Sequence, residues 1–98
     1  MGTRKYKLHI INIIITKTME KLIQEIAEII APIAECNVED IKPDTNLPNE
    51  LGVDSLRGLE IMVMIERKYK VKLDEGELPK MVTTKGIAEL LSPHIRKN

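Results

Sequence analysis

The chain of 98 residues has no Trp, no Phe and only two tyrosines, Tyr6 and Tyr69. Base stacking on an aromatic platform therefore has almost nothing to work with. Bulk positive charge is missing too, since fifteen Lys and Arg are balanced by fifteen Asp and Glu. No electrostatic footprint for a nucleic acid is present, and no nucleic-acid partner is expected. One cysteine, Cys36, cannot close an internal disulfide. With only His9 and His94 beside it, a four-ligand zinc site is out of reach, and no metal is expected. A reducing, cytoplasmic setting follows as the expectation. The longest apolar run, Ile10 to Ile15, is broken by Asn12 and far too short to span a bilayer. At 11.2 kDa the chain is one small domain, which excludes a multi-domain enzyme.

A catalytic constellation is also lacking. His9 and His94 lie towards the two ends, and the carboxylates are scattered. Nothing near Cys36 in sequence marks it as an activated thiolate, so it reads as an idle or buried thiol. What is present is the balance of a soluble globular protein, 43% hydrophobic and 31% charged.

The zero net charge hides an asymmetry. Residues 1–18 hold Arg4, Lys5, Lys7 and Lys17 and no acid, whereas residues 19–98 set eleven basic side chains against fifteen acids, a net of −4. The break falls at Met19, where a second start is plausible. Residues 1–18 are read as an N-terminal extension, disordered or non-native, and residues 19–98 as the folded unit. Its β-branched run, preceded by alternating Tyr6, Leu8 and Ile10, offers a docked strand as the alternative. A basic start before an apolar stretch also resembles a secretory signal, but Thr16-Lys17-Thr18 is no small-residue cleavage site.

From Met19 the apolar spacing is helical. Leu22, Ile26, Ile29 and Ile33 recur at three and four, widened by Ile23 and Ile30, with Thr18 as cap and Pro32 ending or kinking the helix by about Cys36. A long connection, Asn37 to Val53, follows, pinned by Val38, Ile41, Leu47 and Leu51. A second helix is predicted over 55–69. Gly58, Ile61, Met62, Ile65 and Tyr69 share its inward side. Leu56, Glu60, Val63 and Arg67 fall on the opposite arc, with Arg57, Met64 and Lys68 beside them. Apolar residues among charges on that arc read either as a docking surface or as a wide core stripe. A short helical piece around 74–80 and a last helix over 84–91 complete an all-α domain. Thr83 or Thr84 caps the last helix, Pro93 stops it, and Ile87, Leu90 and Leu91 face inward.

Ser55 stands out by position. Leu51-Gly52-Val53-Asp54-Ser55-Leu56 puts a serine at a helix start directly after a glycine loop. Asp-Ser there is ordinarily capping chemistry. The other reading is that Ser55 receives a phosphate-linked group, because a helix N-terminus offers unpaired N–H groups and a positive dipole end. Asp54 would then be an acidic handle, and any base must come from a modifying enzyme.

Ile41-Lys42-Pro43-Asp44-Thr45-Asn46-Leu47, followed by Glu50-Leu51-Gly52-Val53-Asp54-Ser55-Leu56 and by Val82-Thr83-Thr84, strongly resembles an acyl carrier protein. The resemblance covers residues 19–96. It implies a four-helix bundle with a short third helix and a long structured loop between helices one and two. It further implies a carrier and not a catalyst. Ser55 would bear 4′-phosphopantetheine, flanked by Asp54 and Leu56, installed from coenzyme A by a magnesium-dependent phosphopantetheinyl transferase. Acyl-loading and acyl-transferring enzymes would meet Arg57, Glu60, Val63, Met64, Arg67 and Lys68, and the protein would be a monomer. Ile61, Met62, Ile65 and Met81 would line an acyl pocket or serve as ordinary core. Fatty-acid carriers have an acidic second helix; here Glu60 and Glu66 match, but Arg57, Arg67 and Lys68 reverse the sign. Exposed charge sets encounter rate and partner choice, so a specialised lipid carrier is expected. An aminoacyl or peptidyl carrier and an unmodified helical interaction module are the alternatives.

Overall fold

The computed structural model describes the backbone of residues 2–96 and the side chains of residues 18–95. Four α-helices follow in order: α1 (Gly2–Ala34), α2 (Leu47–Leu51), α3 (Ser55–Tyr69) and α4 (Thr84–Arg96). Turns of 3-10 helix occupy Val38–Asp40 and Glu75–Lys80, and no strand occurs among the described residues. The expected all-α architecture is therefore present. The one-turn α2 lies inside the long first connection, so the helix expected as the second is α3, and the short third helix is the 3-10 turn Glu75–Lys80.

The first helix does not begin at Thr18. Its backbone is helical from Gly2, and neither a structureless leader nor a strand forms there. A nucleated helix gains one hydrogen bond for each residue it fixes, and no Pro or Gly interrupts residues 3–31. A strand at Ile10 to Ile15 would need a partner edge, and none exists among the described residues. The side chains of Tyr6, Leu8, His9 and Ile10 lie outside the described residues.

The buried face of α1 is Leu22, Ile26, Ala27, Ile30, Ala31 and Ala34, while Ile29 and Ile33 are only partly buried. The core stripe is thus rotated towards the alanines. α1 packs against both α3 and α4, and small side chains on that face admit close approach of two neighbours. Pro32 sits in the last turn, and the helix stops where Glu35 turns left-handed (φ +58°) and the Cys36 N–H donates to the Ala31 carbonyl at 3.0 Å. Ile26, Ile30, Ile61, Ile65, Ile87 and Leu91 form the centre of the core, each buried almost completely. At the far end the Tyr69 hydroxyl donates to Glu25 Oε1 at 2.6 Å, joining α3 to α1. Burial, and then that bond, push the Tyr69 phenol above its usual range. It is a neutral donor, and the stabilisation is complete below the free-phenol pKa of about 10 and lost as pH rises further.

The start of α4 answers the question of which threonine caps it. Thr83 Oγ1 accepts the Gly86 N–H at 2.9 Å. Thr84 is instead buried, its hydroxyl shared between the Lys42 and Pro43 carbonyls at 3.3 Å each. Leu47 N donates to Val82 O (2.8 Å) and Lys85 N to Pro43 O (3.1 Å). Two stretches about forty residues apart in sequence thus form one seam. Thr84→Val keeps the shape and removes the shared donor, so it is expected to lower stability by about 1 kcal/mol in a thermal melt; an unchanged melt would show that the backbone bonds alone hold the seam. Pro93 does not stop α4, which runs to Arg96. Its missing N–H leaves the carbonyl of exposed Glu89 to solvent, and partly buried Ile95 packs the last turn onto the core.

Candidate functional site

The loop before α3 is built to present one hydroxyl. α2 ends on Gly52 at φ +66°, a left-handed conformation that glycine adopts without strain. Nothing lies within 4 Å of a Cβ built there, so the demand is conformational and not steric. Val53 then turns into the core, its N–H bonded to Leu47 O at 3.1 Å. With Val53 anchored, Asp54 and Ser55 emerge on the surface. Asp54 is the N-cap of α3: its Oδ1 accepts the Arg57 N–H at 2.9 Å. Ser55 is the first helical residue, exposed, and its hydroxyl makes no hydrogen bond to other described residues. Asp-Ser therefore divides its labour, with the capping done by Asp54 and the serine left uncommitted. The N–H groups of Ser55 and Leu56 have no intrahelical acceptor, and they sit at the positive end of the helix. A phosphodiester on Ser55 Oγ fits that setting. No base that could deprotonate the hydroxyl is contributed by the neighbouring residues, Asp54 being occupied as a cap.

The outer arc of α3 is largely where its spacing put it. Glu60, Arg67 and Lys68 are exposed, as are Leu56 (67%), Val63 (42%) and Met64 (45%). The wide-core-stripe alternative therefore fails for these three apolar residues. Arg57 differs: it is half-buried and leans to α1, with its guanidinium 3.9 Å from the Glu35 carboxylate. Lys68 Nζ lies 5.8 Å from the centre of the Tyr69 ring.

A family model described as the phosphopantetheine attachment site matches residues 24–91. The chain belongs to this family of phosphopantetheine-bearing acyl carriers. Among its relatives, polyketide-8 synthase acyl carrier protein 2 of Streptomyces avermitilis is 35% identical over 69 residues, covering 70% of this chain and 79% of that protein. The acyl carrier protein of Streptomyces coelicolor is 32% identical over 78 residues, 79% of this chain and 85% of the relative. The meromycolate extension acyl carrier protein of Mycobacterium leprae is 38% identical over 61 residues, 62% of this chain and 53% of the relative. The family is one of carriers, so this chain carries acyl groups on a covalent 4′-phosphopantetheine arm. Members are served by a phosphopantetheinyl transferase and by acyl-handling enzymes.

In this carrier the four residues named for an acyl pocket, Ile61, Met62, Ile65 and Met81, are all buried. Of these, Met62 borders a cavity. That space, about 530 Å³, lies between α3 and the segment before the Glu75–Lys80 turn and is rimmed by Glu66, Lys72, Asp74 and Glu75. A Cβ at Gly58 would stand 3.3 Å from Leu78 Cδ1, so the Leu78 side chain would have to give by a few tenths of an ångström. Cys36 is raised by burial and then by the charge of Asp40, which disfavours a thiolate. No described helix is long and apolar enough to cross a membrane. Sequence reasoning passed over Ile29, Pro32 and Ile33 as site residues. They line a groove with Leu56, Val63 and Met64, and their helical spacing alone could not show that they sit at the edge of the core.

Proposed function

We propose that Ser55 bears the arm and that the chain is a specialised acyl carrier of fatty-acid or other lipid biosynthesis with no catalytic step of its own. The single observation behind this reading is the exposed, uncommitted Ser55 hydroxyl at the first position of α3, beside a cap supplied by Asp54. When bound, the arm supplies a terminal thiol that holds an acyl group as a thioester. The chain's own part is to present Ser55 Oγ, lose its proton to a base of the transferase, and meet the phosphate with the free N–H groups of the first turn. Asp54 also offers that enzyme an acidic contact and exposed Leu56 an apolar one. Ile61, Met62, Ile65 and Met81 are the interior residues around which a chain could shelter, Met62 nearest open space.

Arg57, Glu60, Val63, Met64, Arg67 and Lys68 form the proposed partner face. Its mixed sign supports a dedicated partner, in keeping with relatives named for polyketide and meromycolate assembly. Residues 19–98 are the carrier domain and residues 1–18 an extension, a division supported by the match over residues 24–91. A monomer acting in the cytoplasm suits the unpaired Cys36. The test is intact-mass and fragment analysis after incubation with coenzyme A and a broad transferase. One arm on the peptide containing Ser55 is expected; an unmodified chain would favour a helical interaction module.

A second prediction concerns the charges. Replacing Arg57, Arg67 and Lys68 together by Glu is expected to slow acyl loading by the cognate enzyme roughly tenfold at low salt, with the difference shrinking as salt rises. Stability should change by less than about 1 kcal/mol, because the ion pair these residues make among the described residues, Arg57–Glu35, is long and largely open to solvent on the Glu35 side. Equal rates for variant and parent at every ionic strength would show that the reversed charges select nothing.

A further inference from the structure

Residues 1–18 have no part in presenting Ser55, yet they hold four Lys and Arg and no acid, against a net of −4 in residues 19–98. The backbone shows where they stand. α1 is helical from Gly2, but the other two long helices end beside residues 18–25. Tyr69, which ends α3, and Ile95, in the last turn of α4, line one pocket of about 360 Å³ with Thr18, Met19, Leu22 and Glu25. From Thr18 back to Gly2 the helix runs on for about 24 Å at 1.5 Å per residue. The molecule is accordingly 54 Å long and only 27 by 19 Å across.

We infer that this projecting end of α1 lays the carrier on an anionic lipid surface. The first reason is register. At 100° per residue, Leu8, Ile10, Ile11, Ile13, Ile14 and Ile15 occupy one arc of about 220°, and Lys5, His9, Asn12 and Thr16 fall within about 60° of one another on the other side. The second reason is where the charge sits. Arg4, Lys5 and Lys7 precede the apolar run and Lys17 follows it, so basic stems bracket a face suited to the boundary between headgroups and acyl chains. The run is far too short to span a bilayer, and the contact is peripheral and reversible. The third reason is orientation. An anionic surface attracts the basic extension and repels the acidic unit, so the extension meets the lipid first. Ser55 starts α3 and Tyr69 ends it, about 21 Å apart, which leaves the acyl-bearing end of the bundle clear of the surface. Pairing two extensions would instead set four positive charges against four.

The test is co-sedimentation of the full chain with vesicles of phosphatidylcholine alone or of equal parts phosphatidylcholine and phosphatidylglycerol. Roughly tenfold more protein should pellet with the anionic vesicles at low salt, and the difference should shrink as salt rises. Replacing Arg4, Lys5 and Lys7 together by Glu, or Ile11 and Ile14 together by Asp, should abolish the binding while the thermal melt stays within a few degrees of the parent. Because the chain has no Trp, Ile11→Trp and Leu56→Trp each give one fluorescent reporter. The emission of the first should shift to the blue with anionic vesicles, and that of the second should stay where it is. A chain that remains in the supernatant with both vesicles, or that binds both equally, would overturn the inference. So would a shift confined to Leu56→Trp, which moves the contact to α3. A blue shift of Ile11→Trp that grows with protein concentration in the absence of vesicles would overturn it too, making a second copy the occupant.

Discussion

Ser55→Ala takes up no phosphopantetheine from coenzyme A and a broad transferase, whereas the parent gains one arm. The loss should be complete, because the reacting oxygen is removed and no other side chain repeats its setting. The only other serine, Ser92, lies half-buried near the end of α4, far from any helix start. The fold should be indifferent to the change. Ser55 is exposed and makes no hydrogen bond to described residues, the cap belongs to Asp54, and alanine is the best helix former. The melting midpoint should therefore correspond to a stability change within about 0.5 kcal/mol. Asp54→Ala is the complementary variant: it keeps the hydroxyl and loses the cap, at about 1 kcal/mol. Mass spectrometry and thermal melts on the pair separate chemistry from folding. A Ser55→Ala chain that still gains the arm would remove Ser55 from its assigned role.

Ile65→Ala is expected to lower stability by about 3 kcal/mol, a fall in melting temperature on the order of 12 °C or more for a domain of this size. Ile65 has no exposed surface and sits mid-way along α3 in the cluster with Ile26, Ile30 and Ile61. Truncation removes apolar contact and leaves a cavity that helices packed on several sides close only in part. Two residues earlier on the same helix, Val63→Ala should cost less than about 1 kcal/mol, since Val63 is 42% exposed. Urea or thermal denaturation of both variants measures the difference. Equal melts would mean that the α3 face assignment is wrong.

Much of this was legible in the chain itself. The 3.6-residue spacing in α3 placed Ile61, Met62 and Ile65 inside and Leu56, Val63 and Met64 outside, because one 15-residue helix against one core leaves little freedom. The loop motif around Ser55 was equally legible, since glycine, cap and serine act over a few residues. Arg57 was less so. It belongs to the outer arc by angle, but a long side chain at the edge of the arc reaches the acidic end of α1. The start of α1 and the end of α4 were misplaced for a related reason. Propensity and a single proline are weak local terms, and a helix already formed extends through them when its backbone groups remain bonded or solvated.

By itself, then, the sequence determined the helical class, the faces of α3 and the exposed serine with its adjoining cap. All of these depend on interactions within a few turns of chain or on composition. Tertiary structure alone decided which threonine seals the loop to α4, how far α1 rotates its alanines inward, and that Ile29 and Ile33 face Val63 and Met64 across a groove. Those depend on how two helices approach one another, and the approach is set by the sum of many small packing contacts that no local pattern records.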